Sequence, residues 1–191
     1  DWGVTGVQTC ALPIFTKGIE ILLKSEGTVT LEFPHLHNLI RYGQFDTIYH
    51  EHFSYYTLKS AMNVFENQGL RIYDVEEVST HGGSLRIYGC KGDANISSNE
   101  ENLNKVLNDE SAAGLNELDV YLAFQNRVDK IKDELLQFLI NVKKEGKKVA
   151  GYGAAAKGNT LLNYAGVKPD LLPYICEIGR AHVWTPVTPQ S

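Results

Sequence analysis

Apolar residues recur at helical spacing through Phe15, Ile19, Leu22 and Leu23, which predicts the end of an amphipathic helix over 15–24. Ser25-Glu26-Gly27 supplies a turn, and 28–33 is β-branched and apolar, a short buried strand closed by Pro34. Helix, tight turn and buried strand make half of a βαβ unit, so the pattern predicts a parallel sheet. Leu58, Ala61, Met62 and Phe65 share one helical face, with Thr57 as N-cap and Gly69 as the stop. Residues 70–78 and 85–90 each alternate, and His81-Gly82-Gly83-Ser84 between them marks a β-hairpin.

The second half is patterned differently. Residues 91–114 are rich in Asn, Ser, Asp and Glu and are expected to form a linker, partly helical at best. From Tyr121 a long helix is predicted, with Phe124, Val128, Ile131, Leu135, Phe138 and Val142 continuing a seam that packs on a domain face. Gly146 ends it. A short strand over 148–152 follows, then a glycine-rich run that opens a helix over 160–164, and a further strand over 171–176.

Composition narrows the class. With 191 residues and 43% hydrophobic content, the chain can build one ordinary domain or parts of two. The formal charge of −5 and the lack of any basic stripe argue against nucleic acid and anionic membrane as partners. No apolar run is long enough to span a bilayer, and no signal peptide with a basic n-region opens the chain. Cys10, Cys90 and Cys176 form no spaced pair, so neither a disulfide framework nor a zinc knuckle is indicated, and a reducing cytoplasm is expected.

The two ends stand apart. Residues 1–14 and 177–191 hold both tryptophans, Trp2 and Trp184, and almost no hydrophobic periodicity. Back-translated with allowed codons, residues 178–184 give a reverse complement that, shifted by one base, encodes residues 8–14; residues 184–191 relate to residues 1–8 in the same way. The pattern resembles translated sequencing-library adaptor, so both ends are set aside from fold reasoning. Without them 17 basic and 21 acidic residues remain, a net of −4. The genuine protein is then expected over about 15–176, cut from a longer chain.

The densest candidate chemistry is Tyr49-His50-Glu51-His52, flanked by Phe45-Asp46-Thr47-Ile48 and Phe53-Ser54-Tyr55-Tyr56. Two imidazoles, a carboxylate and a phenol in four residues can move protons near neutral pH. The same His-x-His spacing also fits a pair of satisfied histidines on one strand face, or a metal site completed by His35 and His37. Gly82 and Gly83 are either plain turn glycines or side-chain-free positions that let His81 and backbone amides approach a ligand. Gly151-x-Gly153-x-x-Ala156 fits a dinucleotide fingerprint, whose amides at a helix N-terminus face an anion. Lys157 adds a charge there, and the order Lys157-Gly158 excludes a Walker loop. The fingerprint alone suits a nucleotide-binding oxidoreductase of the NAD(P) type, although the adaptor-like stretch interrupts the next strand where an acidic ribose ligand would stand.

Four runs occur together: Glu32-Phe33-Pro34-His35-Leu36, residues 45–56, Thr80-His81-Gly82-Gly83-Ser84-Leu85-Arg86, and residues 151–160. As a set they resemble the S-adenosylmethionine-dependent C-methyltransferases that act on nucleotide-linked keto-deoxysugars. The resemblance implies an α/β protein in which 15–91 ends a Rossmann-like methyltransferase sheet with its antiparallel hairpin. It makes 92–114 a linker and 115–176 the start of a second Rossmann-like domain, joined by a long helix. It also implies a zinc-binding module and an S-adenosylmethionine site upstream, so the piece is expected to be inactive alone. The implied chemistry is removal of a proton beside a ketone. By resemblance His52 is the base, Glu51 orients or polarises it, Tyr49 holds the developing oxyanion, and His50 is an alternative base. His81, Gly82, Gly83, Gly153, Lys157, Gly158, Asn159 and Thr160 are expected to bind the nucleotide sugar, the last five around its pyrophosphate.

Overall fold

A computed structural model describes residues 3–5, 12–49, 52, 54–153 and 156–176, with the backbone alone for residues 3–5, 12 and 81. The chain is mixed α/β and divides into two compact units, residues 1–44 with 50–122, and residues 45–49 with 123–191.

The first unit is built on a four-stranded sheet in the order β1-β2-β4-β3. Its strands are β1 (Gly3–Thr5), β2 (Thr28–Pro34), β3 (Leu70–Val78) and β4 (Ser84–Lys91). β2 runs parallel to β1 but antiparallel to β4, so the parallel sheet expected from the helix–turn–strand pattern is in fact mixed. β1 comes from the stretch set aside as adaptor-like, and α1 (Leu12–Leu22) also begins inside it. α1 lays Phe15 and Ile19 on the core, whereas Leu22, counted as a core position from its spacing, is 85% exposed and Leu23 packs instead.

Cross-strand register separates the two faces. Leu31 lies opposite Ile87 on the buried face, while Glu32 lies opposite Arg86 on the other. Leu70, Ile72 and Val75 are all buried, although a strict two-residue period would turn Val75 outward. A register shift between Ile72 and Asp74 inserts the extra residue that restores it.

α2 (Leu36–Tyr42) follows β2, and α3 (Leu58–Glu66) precedes the hairpin. α3 starts where predicted: Thr57 accepts from the Ser60 amide while the Ser60 hydroxyl accepts from the Thr57 amide, closing a capping box. Leu58, Ala61 and Phe65 then enter the core. Residues 92–114, expected as a linker, contain α4 (Glu100–Ala112), whose Leu103 and Val106 join the same core. The polar composition hid it because only one narrow stripe is inward.

The second unit contains most of α5 (Leu118–Lys144), together with β5 (Ala150–Tyr152), α6 (Ala156–Ala165) and β6 (Tyr174–Cys176). On α5 the inward stripe runs through Val128 and Leu139 rather than Phe138, which is exposed. Leu139 lies nearer the centre of the stripe set by Val128 and Leu135. β5 and β6 pair in parallel with α6 between them, the βαβ connection expected from the fingerprint. α6 is anchored to α5 by Tyr164, whose hydroxyl donates to Asp129 (2.8 Å) and accepts from Gln125 (2.8 Å).

Candidate active site

The chain leaves β2 at Pro34 and returns at the start of α3, and the candidate quartet lies on this excursion. Phe45–Thr47 forms a single 3-10 turn with Phe45 and Thr47 buried, and the Tyr49 amide donates back to the Thr47 carbonyl (3.1 Å). The Phe45 ring meets Tyr164 of α6 at 5.1 Å. Tyr49 and His52 are both half-buried, and the Tyr55 hydroxyl donates to the His52 carbonyl (3.1 Å). His50 and Glu51 lie outside the described residues.

The return is fixed by an isolated parallel bridge between His35 and Tyr56, in which the Leu36 amide donates to the Tyr56 carbonyl (3.0 Å). Tyr56 therefore lies beside the carboxyl end of β2, the end at which open α/β sheets bind ligands. His35 itself turns inward. Its Nε2 lies 2.8 Å from Glu110 Oε1, both side chains almost fully buried. The same carboxylate accepts from the amides of Leu58 and Lys59, the first residues of α3. His37 stacks edge-on against His35 at 5.5 Å, and burial, reinforced by His35 and Arg41, pushes its pKa below the usual value. Glu110 escaped the sequence reading, yet it had a signal: it shares one helical face with Leu103 and Val106, where a carboxylate needs a buried partner.

Gly82 and Gly83 adopt positive φ, +85° and +110°, at the turn between β3 and β4. A side chain at Gly82 would collide with the Gln44 amide, and one at Gly83 with the Asn38 amide. Gln44 Nε2 also donates to the Gly82 carbonyl (2.9 Å). The room these glycines leave is thus taken by the protein's own amides, and a ligand reaching this turn would meet Asn38 and Gln44 first. His81 contributes backbone to the 3-10 turn Thr80–Gly82; its side chain lies outside the described residues. Two of the quoted motifs meet nearby, since Glu32 accepts from Thr80 Oγ1 and from Arg86 Nη2 (3.0 Å).

In the second unit Gly153 has φ +91° with open space where a side chain would stand, and its amide donates to the Cys176 carbonyl (2.7 Å). α6 begins at Ala156 rather than at Thr160, so Lys157, Gly158, Asn159 and Thr160 occupy its first turns instead of a loop. The Thr160 hydroxyl is turned back to the Ala156 carbonyl (3.2 Å). Ala154 and Ala155 lie outside the described residues.

The histidine metal site loses its ligand set. His35 is committed to Glu110, and among the described residues no group of three or more His, Cys, Asp or Glu side chains can hold a metal ion. Nothing in these residues supports zinc. The β2–α2 turn, Phe33-Pro34-His35-Leu36, does not fit S-adenosylmethionine, since it carries no glycine and is filled by the buried His35. No helix among the described residues is long and apolar enough to cross a membrane.

Comparison with known proteins adds two findings. The profile of the C-methyltransferase C-terminal domain family matches residues 79–187, a span that runs past 176 into the stretch set aside from fold reasoning. The C-methyltransferase NovU of Streptomyces niveus is 36% identical over 151 residues, covering 79% of this chain and 36% of that protein. The chain therefore spans little more than a third of that relative's length.

Proposed function

This chain belongs to the C-methyltransferase C-terminal domain family, and from that premise we propose that it serves methyl transfer to a carbon beside a ketone of a nucleotide-linked sugar. A carbon flanked by a carbonyl becomes nucleophilic only after losing a proton, so such an enzyme needs a base at the carbon and a donor at the oxygen. His52 is the base, Glu51 orients or polarises it, and Tyr49 donates to the enolate oxygen. His50 is the alternative base. The methyl donor implied by the family is S-adenosylmethionine, and no residue of this chain is assigned to it.

The observation that supports this reading most is the environment of Tyr49 and His52. Both are half-buried, neither spread in solvent nor sealed in a dry core, and Tyr56, four residues after His52, bridges to His35 at the carboxyl end of β2. An imidazole so placed can keep its proton-transfer capacity and still meet a substrate. The start of α6, with Gly153 and the Lys157 charge, is proposed to take the sugar's pyrophosphate, and the His81–Gly83 turn is proposed to bind substrate as well. The NAD(P)-type oxidoreductase reading is not favoured, since the family match points to methyl transfer.

The test is kinetic, in a full-length homologue that carries these motifs. His52→Asn is expected to lower kcat by about two to four orders of magnitude, the usual contribution of a positioned base, with a smaller change in KM. An unchanged kcat would remove His52 from the chemistry. Binding of a nucleotide sugar in preference to NAD is the companion measurement.

A further inference from the structure

We infer that Glu110 is a positioning residue for His52, its carboxylate gripping both His35 at the end of β2 and the first amides of α3. The inference rests on the proposed role of His52. Three donors meet on Glu110. His35 Nε2 lies at 2.8 Å where the chain leaves β2, and the Leu58 and Lys59 amides (the latter at 3.3 Å) meet it where the chain enters α3.

The donors of the α3 N-terminus account for this arrangement. A helix start leaves its first amides without intrahelical partners. Thr57 Oγ1 takes the Ser60 amide and the Thr57 carbonyl takes the Ala61 amide, so the Leu58 and Lys59 amides are left over. One carboxylate takes both, at the end of the helix where the dipole favours an anion. His35 completes the set. The same two stretches are also tied through the backbone, the Leu36 amide donating to the Tyr56 carbonyl. The tie carries a cost, since His35 Nδ1 is buried without a hydrogen-bond partner among the described residues. Apolar replacements of a buried polar pair are often as stable or more so, so what this pair supplies is fixed geometry. His52 lies on the stretch that leads into α3.

The test uses the full chain and needs no turnover. In Glu110→Gln, amide exchange at Leu36, Leu58 and Lys59 should accelerate at least about ten-fold while β4 amides stay unchanged. The His52 ring signals, read by 15N-edited NMR, should shift or split. Unmoved His52 signals would overturn the inference, because a merely structural role at the α3 N-terminus would leave them in place. If Glu110→Gln loosens the whole chain, β4 included, the decision passes to His35. His35→Gln, which puts an N–H near the position of Nε2, should retain the native His52 signals, and His35→Leu should lose them. Equal behaviour of those two variants would overturn the inference. These readouts are separate from catalysis. A fully active His52→Asn enzyme would end the proposed function and leave the grip standing, whereas unmoved signals beside an inactive His52→Asn would end this inference alone.

Discussion

At Gly89 of β4 the core has room for no further atom. A methyl group there would stand 3.1 Å from Phe65 Cδ1 and closer still to Cε1, because the α3 ring lies directly on the strand. Gly89→Ala is expected to destabilise the chain by about 1–3 kcal/mol, the usual cost of overpacking, measured by chemical denaturation. His37 gives a pH-dependent counterpart. Its pKa is depressed below 6.5, chiefly by burial, so the unfolded chain takes up the proton first as pH falls. Stability from this group is complete above about pH 6.5 and drains away below it, toward the depressed value. His37→Gln should flatten the fall of Tm with pH just below 6.5; an unaltered slope would show that His37 does not contribute to it. Residues with local chemistry were legible in the sequence: Thr57 as a cap needs only its neighbours. Gly89 and Glu110 were not, because their meaning depends on Phe65, His35 and Leu58, which arrive from other elements.

The helices and strands show the same division by the range of the signal. α3 and the β3–β4 hairpin were readable because period, cap and turn all agree within one stretch. α4 was concealed, since Asn99 as its N-cap and the acidic Glu100 and Glu101 of its first turn sit in a segment whose composition suggests a linker. Its importance is testable within one helix. Leu103→Ala should cost about 2–5 kcal/mol, as buried leucines do, whereas the exposed Asn104→Ala should stay within about 0.5 kcal/mol. Similar small effects would mean that α4 does not share the sheet's core. The bulge in β3 was equally hidden: the sequence shows Asp74 and Val75 adjacent in the pattern, and only pairing with β4 reveals the inserted residue.

At the scale of the whole chain there are two units: a mixed sheet whose β2 end is met by Tyr56, and a separate βαβ unit with Gly153 at its turn. Family resemblance was legible because four short motifs recur together, although each alone is weak. The tight turn at Gly82 and Gly83 draws on distant neighbours that no motif names, since Asn38 and Gln44 stand where side chains there would go. The role proposed for His52 requires that a proton leave a carbon beside a ketone before methyl transfer. Deuterium uptake from D2O into a nucleotide-linked keto-sugar, followed by 1H NMR in the complete enzyme without methyl donor, tests it most directly. The account predicts enzyme-dependent exchange at the carbon next to the ketone, lost in His52→Asn. Exchange at the same rate in His52→Asn, or none above the uncatalysed rate in the unaltered enzyme, would contradict it.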